Sequence, residues 1–335
     1  MNGATQWLRY CKLTIASEPA KGGNQTQIDA LDLSQFRIKF VVDQATNSKP
    51  TTAEITIYNI SPDTIKKIPA PTNKAIASQS IIVILEAGYE ENHGVIFQGY
   101  LWWKTVGRES PTETYLKLVC SSGSVASHYA VINASIPKGA TQEDIFKIVA
   151  QSMNENGVQT PTTPTLMATQ LPRGKVMYKM TKEAMQGIAD TNSFDWYVGS
   201  TGFRAVPKGD AYDPSEVAIV LNSDTGMLGR PQMTTLGVNV ECLLNPLIDV
   251  GSIVQIDNSK IIRQTLSTEI SSGAVLQNFA STDFYNDADG LYKVVARTHE
   301  GDNRGNEWTT SLICVAVSGA KPINPTVQTF TGNTV

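Results

Sequence analysis

Short runs in which apolar and polar residues alternate dominate both ends of the chain. Alternation with a period of two is typical of half-buried β-strands. Eleven such runs occur, at residues 8–15, 36–42, 53–58, 80–86, 95–103, 114–120, 217–221, 237–244, 252–257, 291–299 and 307–317. The pattern therefore predicts one β region near each end. A short helix is predicted at 61–68, because Ser61 suits the N-cap and Pro62 the first helical position.

The middle of the chain has a helical period instead. Residues 141–153 start with a threonine and two acids, and their apolar residues recur at helical spacing. A second helix is predicted at 181–189, with Thr181 as its cap. The proline-bearing stretch 159–165 is predicted to be extended, and 195–207 to form a hairpin. These elements predict a small α+β unit between the two β regions.

The two β regions resemble each other. Residues 94–120 run from a glycine through a strand, a polar loop and a second strand to a cysteine, and residues 290–314 repeat that order. The glycine and the cysteine are 26 positions apart in the first copy and 24 in the second, a difference that a hairpin loop absorbs. Apolar runs at 81–85 and 252–256 precede the copies. Two similar faces in one chain suit a ring with twice as many faces as chains.

We predict a mainly β fold with an α+β insert, in which two similar β-barrels flank a small α+β domain. Barrels are predicted because closure removes exposed strand edges. The predicted domains are 1–130 for the first barrel, 131–213 for the middle domain, 214–319 for the second barrel and 320–335 for an extended C-terminal arm. The segment 259–289 has no clear period, and we expect a mobile loop or one ordered by a partner.

Charged residues make up only 17% of the chain, against about 25% in an ordinary globular domain. This favours a component of a larger assembly, with surfaces covered by neighbours. The formal net charge is −4, so no basic surface for gripping nucleic acid is expected. A weakly acidic balance suits a wall that nucleic acid passes without sticking, and it is equally typical of ordinary proteins.

Targeting and metal signals are missing from the sequence. It predicts no secretory signal at the N-terminus and no membrane insertion, since its apolar runs reach only five to six residues. The four cysteines at 11, 120, 242 and 314 are far apart and lie in strand-like runs, which favours buried free thiols in a chain folded in a reducing cytoplasm. The three histidines have no metal-type neighbours, and no metal or cofactor is predicted.

A family resemblance rests on several of these motifs in order. Residues 53–61, 85–89 and 94–99 resemble the first barrel of bacteriophage tail baseplate hub proteins. Residues 243–246, 250–254, 289–294 and 299–302, with Trp308, resemble the second. The resemblance spans roughly residues 8–318, and the hub half of type VI secretion spike proteins is similar.

The resemblance implies a structural protein at the virion tail tip, the baseplate, that is assembled in the host cytoplasm. It implies a homotrimer with pseudo-sixfold symmetry that joins the hexameric tail tube, or a tube-initiator protein, to the trimeric central spike. Tape-measure and baseplate wedge proteins are further partners, and DNA is transient cargo of the channel during ejection. The implied residues have structural or interface roles and no catalytic ones: Tyr58, Asn59, Gly88, Tyr89, Asn245, Pro246, Gly251 and Asp302.

Other chemistries remain as alternatives. The main one is a peptidoglycan-hydrolysing or glycan-binding tail-tip module, whose candidate carboxylates are Glu86, Glu90, Glu91, Asp195 and Asp302. Such a hydrolase needs an acid with a raised pKa beside a second carboxylate. Trp102 and Trp103 could form a sugar platform, but adjacent strand residues face opposite ways. We expect one to face the core and the other a neighbouring subunit. A calcium loop at 283–290 would lack its bidentate acid.

Overall fold

The structure is a computed structural model, which describes residues 8–17, 30–46, 48–68, 81–161, 163–208, 218–234, 237–256 and 290–317. The predicted loop at 259–289 and the predicted C-terminal arm lie outside the described residues. No helix in the described part is long and apolar enough to cross a membrane.

The first strand set, here called the first β module, has seven strands: β1 (Arg9–Ser17), β2 (Leu31–Asp32), β3 (Ile38–Ala45), β4 (Thr52–Tyr58), β5 (Ile81–Tyr89), β6 (Asn92–Arg108) and β7 (Thr114–Ser121). Alternating buried positions in β3 and β5 follow the predicted period of two. Helix α1 (Pro62–Lys67) begins where predicted, and the Ser61 hydroxyl accepts a hydrogen bond from the Thr64 amide at 3.2 Å.

The middle unit contains α2 (Ser124–His128), β8 (Val131–Ile136), α3 (Gln142–Glu155), β9 (Lys175–Met180), α4 (Thr181–Thr191), β10 (Phe194–Gly199) and β11 (Gly202–Pro207). Thr141 and Asp144 form a reciprocal capping box on α3, as the sequence pattern indicates. The prediction for Thr181 was wrong. Thr181 is the first helical residue, fully buried, and its hydroxyl lies 2.8 Å from that of Ser152, while Met180 is the N-cap.

The second β module has six strands: β12 (Ile219–Leu221), β13 (Met227–Thr234), β14 (Gly237–Leu243), β15 (Ile253–Ile256), β16 (Leu291–Asp302) and β17 (Trp308–Ala316). All but β13 were predicted. The mainly β fold with few helices is therefore confirmed.

Both modules belong to one 13-stranded sheet, because β16 pairs with β3 as well as with β15 and β17. Closed barrels are not found: over the described residues the ladder has free ends at β2 and β13 and does not return on itself. Two separate β domains are likewise not confirmed, and the predicted domain boundaries stay predictions. The three largest clusters of buried apolar residues lie in the first module, the middle unit and the second module.

Strand order is the same in the two modules. The first runs β3-β4-β7-β6-β5-β1, and the second runs β13-β14-β17-β16-β15-β12. One pairing differs, since β1 is antiparallel to β5 whereas β12 is parallel to β15. The predicted similarity of the two β regions therefore extends to which strands are neighbours.

A bulge at the same place fixes the residue equivalence. Leu101 pairs with Cys120, and the β6–β7 register then shifts by one residue. Val294 pairs with Cys314, and the β16–β17 register shifts at the following residue. The two cysteines thus occupy the same position, as the sequence comparison assumed. The two glycines at the starts of the copies are not equivalent. Counting back from the bulge, the residue of the first copy that corresponds to Gly290 is Phe97 and not Gly94.

Candidate assembly interface

The two modules meet along β3 and β16. Seven antiparallel residue pairs join them, from Ala296 opposite Ala45 to Asp302 opposite Lys39. The Thr298 hydroxyl donates to the Asp43 carboxylate at 2.7 Å across this ladder. Only the C-terminal half of β16 takes part, because its first residues pair with β15 on the same edge. One long strand thus joins the two modules into a single sheet.

The β16–β17 hairpin inserts into the first module. Trp308, the first residue of β17 beside the hairpin turn, is 2% exposed and belongs to the first module's core. Its indole N–H donates to the Gly88 carbonyl at 3.1 Å, and its ring meets Phe40 edge-on at 5.4 Å. The Arg9 guanidinium lies over the same ring at 5.4 Å. This tryptophan therefore packs against β1, β3 and β5 at once.

Polar contacts hold the hairpin tip in place. Asn303 accepts a hydrogen bond from the Ile38 amide at 2.9 Å and donates one to the Phe36 carbonyl at 2.8 Å. Arg304 donates to the Gln35 carbonyl at 2.7 Å. These bonds satisfy backbone groups just before β3, where the ladder to β4 begins.

Asp302 forms an ion pair with Arg37 at 2.8 Å. Burial alone would raise the pKa of Asp302, but hydrogen bonds from Arg37 and from the Arg304 amide, with the charge of Arg37, bring the pKa below its usual value. Arg37 also lies over the Tyr58 ring at 4.6 Å. The carboxylate is therefore held ionised as a structural anchor, the opposite of what a catalytic acid needs.

A buried polar cluster lies beside the β3–β16 ladder. Arg297 is 6% exposed; it donates to the Ile248 carbonyl at 2.5 Å, hydrogen bonds the Gln44 side chain and lies 3.4 Å from Asp249. Gln44 donates to Asp249 at 3.0 Å. Burial lowers the pKa of Arg297, against the opposing charge of Asp249. The cluster connects β3, β16 and the loop before β15.

His299 lies next to this cluster and is fully buried. Its Nδ1 is 2.8 Å from the Thr310 hydroxyl, which also accepts a hydrogen bond from the Asn245 amide. Among the residues that the structure describes, none forms a hydrogen bond with Nε2. Burial, followed by the charge of Arg297, brings the pKa of His299 well below 6.5. The imidazole is therefore neutral in the folded protein at neutral pH.

Four of the predicted residues line the junction of the two modules. The Gly88 carbonyl accepts the hydrogen bond from the Trp308 indole. Arg37 lies over the Tyr58 ring and forms the ion pair with Asp302. Tyr89, buried at the end of β5, has its pKa raised to about 12 by burial, against the charge of Arg9. Asp302 follows the other three by more than 200 positions in the sequence, yet it shares Arg37 with Tyr58.

The other four predicted residues are spread out. Asn59 stands in the left-handed region at φ 56° and accepts a hydrogen bond from the Thr114 amide at 3.2 Å. Asn245 is 2% exposed and accepts one from the Leu247 amide. Pro246 lies against Gly94, and Gly251 lies against Val206 of the middle unit. All four hold turns, and their interface role stays a prediction.

Three of the five nominal hydrolase carboxylates, Glu86, Asp195 and Asp302, pair with separate cations. Glu86 lies 3.8 Å from Lys12, and Asp195 lies 3.7 Å from Lys208 in the middle unit. No group of three or more potential metal ligands occurs in the part of the chain that the structure describes. Cys120, Cys242 and Cys314 are buried free thiols as predicted, whereas Cys11 is half-buried.

Comparisons with known structures first give the class of fold. The 43 kDa tail protein of prophage MuSo2 from Shewanella oneidensis is similar with a TM-score of 0.55 and 7% identity, covering 91% of this chain and 98% of that one. A Francisella PdpA–VgrG complex, half-lidded, has a TM-score of 0.51 and 9% identity, covering 97% of this chain and 60% of that one. At such identities only the fold is shared: that of a phage tail protein.

The family follows from the sequence. The model of the family described as baseplate hub gp41 matches residues 23–262, more than half of the chain. The chain therefore belongs to the baseplate hub gp41 family, which confirms the predicted resemblance. A search of curated protein sequences finds no match.

Proposed function

We propose that the chain is a structural subunit of a trimeric hub ring at the tail tip. In this ring each copy contributes its two β modules, so that three chains present six similar faces around a channel. Such a ring would join a hexameric tail tube to a trimeric central spike, with DNA as transient cargo. The observation that carries the proposal is the shared strand order and shared bulge of the two modules.

The way the modules are joined also supports a ring. A ring of repeated units needs each unit to contact the next through two different surfaces. Within one chain the first module offers β3 and the second module offers β16, which are not equivalent strands. The β3–β16 contact inside the chain therefore joins two different surfaces, as a contact that is repeated around an axis must.

The test is the mass of the full-length protein, measured by light scattering and native mass spectrometry, alone and after mixing with its spike protein. Three copies per particle are expected. A stable monomer in both samples, with tails that lack the chain, would contradict the proposal.

A hydrolase function remains the alternative, and no contact favours it. Asp302 has a lowered pKa, and Glu86 and Asp195 pair with different lysines. Zymography with the pure chain separates the two functions. No clearing of peptidoglycan is expected, and clearing that disappears in a variant such as Glu86→Gln would reverse the ranking.

A further inference from the structure

Strands β8 and β9 of the middle unit form a small antiparallel sheet with one buried and one exposed face. The buried face carries Ile132, Ile136 and Met177, which belong to the middle unit's core. Since neighbouring residues of a strand point to opposite faces, the residues between them share the exposed face. They form three cross-strand pairs, here called the β8–β9 face: Val131–Met180, Asn133–Tyr178 and Ser135–Val176.

Large apolar side chains are exposed on the β8–β9 face. Val131 is 52% exposed, Val176 73% and Tyr178 77%, and Tyr129 just before β8 is 58% exposed. An antiparallel sheet that meets water on one side normally carries polar residues on that side. A cluster of exposed apolar residues is instead typical of a surface that binds another molecule. The β8–β9 face therefore has the composition of a docking surface.

The two segments that build this sheet are basic. Residues 129–139 and 172–182 together contain four lysines, one arginine and no acidic residue, whereas the whole chain has a formal net charge of −4. Lys179 is directed away from the β8–β9 face, since its Nζ donates to the Glu183 carbonyl of α4 at 3.3 Å. Positive charge is therefore concentrated beside the face but not on it.

Three of these cations, Lys138, Arg173 and Lys175, lie at one end of the ladder. Lys138 is in the turn after β8, and Arg173 and Lys175 lead into β9, whose first residue pairs with Ile136 at the end of β8. All three residues are exposed, and the ion pairs described in the middle unit involve none of them. The face thus has an uncharged centre and, at one end, positive charge that no described carboxylate neutralises.

We propose that the β8–β9 face docks a segment of another tail protein, apolar at its centre and carrying carboxylates that meet Lys138, Arg173 and Lys175. Protein interfaces combine an apolar centre, enriched in tyrosine and methionine, with a polar rim, which is the arrangement found here. Opposite charges at the rim speed association and select the partner. This inference rests on the proposed hub function and gives the middle unit a role of its own in the assembly.

Nucleic acid fits this surface less well. Exposed tyrosines can stack on bases, but a bound strand needs positive charge along the track of its backbone. The six residues of the β8–β9 face carry no charge, and the three exposed cations lie at one end only. The chemistry of the face therefore favours an acidic protein segment.

The test is photo-cross-linking in purified tails assembled with the full-length variant Tyr178→p-benzoylphenylalanine. A cross-link to a different tail protein is expected, and mass spectrometry should place it in a segment with apolar residues and a net negative charge. Lys147→p-benzoylphenylalanine is the matched control, because Lys147 is exposed on α3 of the same unit. This control should not form the same cross-link.

Charge variants test the three cations separately. Lys138→Glu with Arg173→Glu and Lys175→Glu should lower the cross-link yield per incorporated chain at least about tenfold, because like charges would then face each other. Lys138→Arg with Lys175→Arg should keep the yield. Both variants should unfold at the wild-type temperature, since these residues are exposed.

The outcomes separate this inference from the hub function. Tails that lack the chain overturn the hub function and this inference with it. Tails that contain the chain overturn this inference alone if Tyr178→p-benzoylphenylalanine gives no cross-link. A cross-link only to DNA, to a second copy of the chain or to a segment without net negative charge does the same. An unchanged yield after charge reversal overturns the role of the three cations.

Discussion

The C-terminal halves of β6 and β16 have the same place in their modules but opposite surroundings. Both follow a one-residue bulge at a buried cysteine, and both lead into a hairpin. The β16 half is covered by β3 and carries buried polar residues, whereas the β6 half carries exposed Trp103 and Val106. The difference teaches that one strand geometry can serve as a joint between two modules or, as far as the described residues show, end without a strand beside it.

The hairpins differ in the same way. Trp308 fills the first module's core, whereas the equivalent position in the other hairpin is the half-buried Thr114. Asp302 is 5% exposed and paired with Arg37, whereas its equivalent is the exposed Glu109. At these two positions the residue types differ between the copies where one copy is covered and the other is not.

The largest effect is expected for Gly88→Val. Gly88 has φ +147°, and a Cβ there would lie 2.7 Å from the His93 Cα and nearer still to the Asn92 carbonyl oxygen. Backbone cannot move aside cheaply, so a loss of roughly 4 kcal/mol or more in the free energy of unfolding is expected, with no assembled tails. Urea unfolding checks this.

Two further glycine variants sharpen that result. Gly139 also has a positive φ, at +87°, but a Cβ there would meet no atom within 4 Å. Gly139→Val should therefore lower the free energy of unfolding only by the backbone strain. A Cβ at Gly251 would lie 3.0 Å from a Val206 methyl group. The loss of stability in Gly251→Val is therefore expected to lie between those of Gly88→Val and Gly139→Val, and assembly should be impaired. Equal losses at Gly88 and Gly139 would show that the close approach to β6 is unimportant.

Trp308→Ala should rank second. Removal of a fully buried tryptophan is expected to destabilise the protein by about 3 to 5 kcal/mol, since it leaves a cavity and an unpaired Gly88 carbonyl. Thr114→Ala at the equivalent position should change stability by less than about 0.5 kcal/mol. Similar losses for the two variants, measured by urea unfolding, would remove the contrast between the hairpins.

His299 predicts a pH dependence. Its folded pKa lies below its unfolded value, so the unfolded state binds the extra proton and stability falls as pH drops below about 6.5. Between pH 7.5 and 5.0 the free energy of unfolding should fall by about 2 kcal/mol from this group. His299→Gln should lose this part of the slope, while His93→Gln at an exposed site should keep it. An unchanged slope in His299→Gln would contradict the assignment.

Asp302→Asn should have the smallest effect, about 1 to 2 kcal/mol at neutral pH, discounted because Arg37 is partly exposed. The folded pKa of Asp302 is lowered, so its contribution is present at neutral pH and is lost as pH falls through and below about 4. Glu109→Gln, the equivalent change in the other hairpin, should leave the urea midpoint unchanged. A larger loss for Glu109→Gln would reverse the proposed contrast.

Much of the fold could be predicted from the hydrophobic pattern, because strands buried on one face alternate visibly. Strand β13 could not, since Gly229 and Pro231 interrupt its alternation at a bulge on a sheet edge. Thr181 was taken for a cap because threonine favours that position, but burial against Ser152 places it inside the helix.

The interface was only partly predictable. The motifs that carry the family resemblance include Tyr58, Gly88 and Asp302, which lie at the junction of the two modules. Arg9, Arg37 and Arg297 were missed, because each acts on groups distant in sequence and nothing near it along the chain indicates the partner. The pairing of β16 with β3 was missed for the same reason, since a strand edge has no sequence signature of its own.

The most direct test of the central claim is an image reconstruction of the assembled hub on the tail, resolved well enough to count chains and trace strands. The account predicts three copies around one axis, with six β modules at nearly equal angles around it. Any other number of copies, or modules of one chain that are not related around the axis, would contradict it.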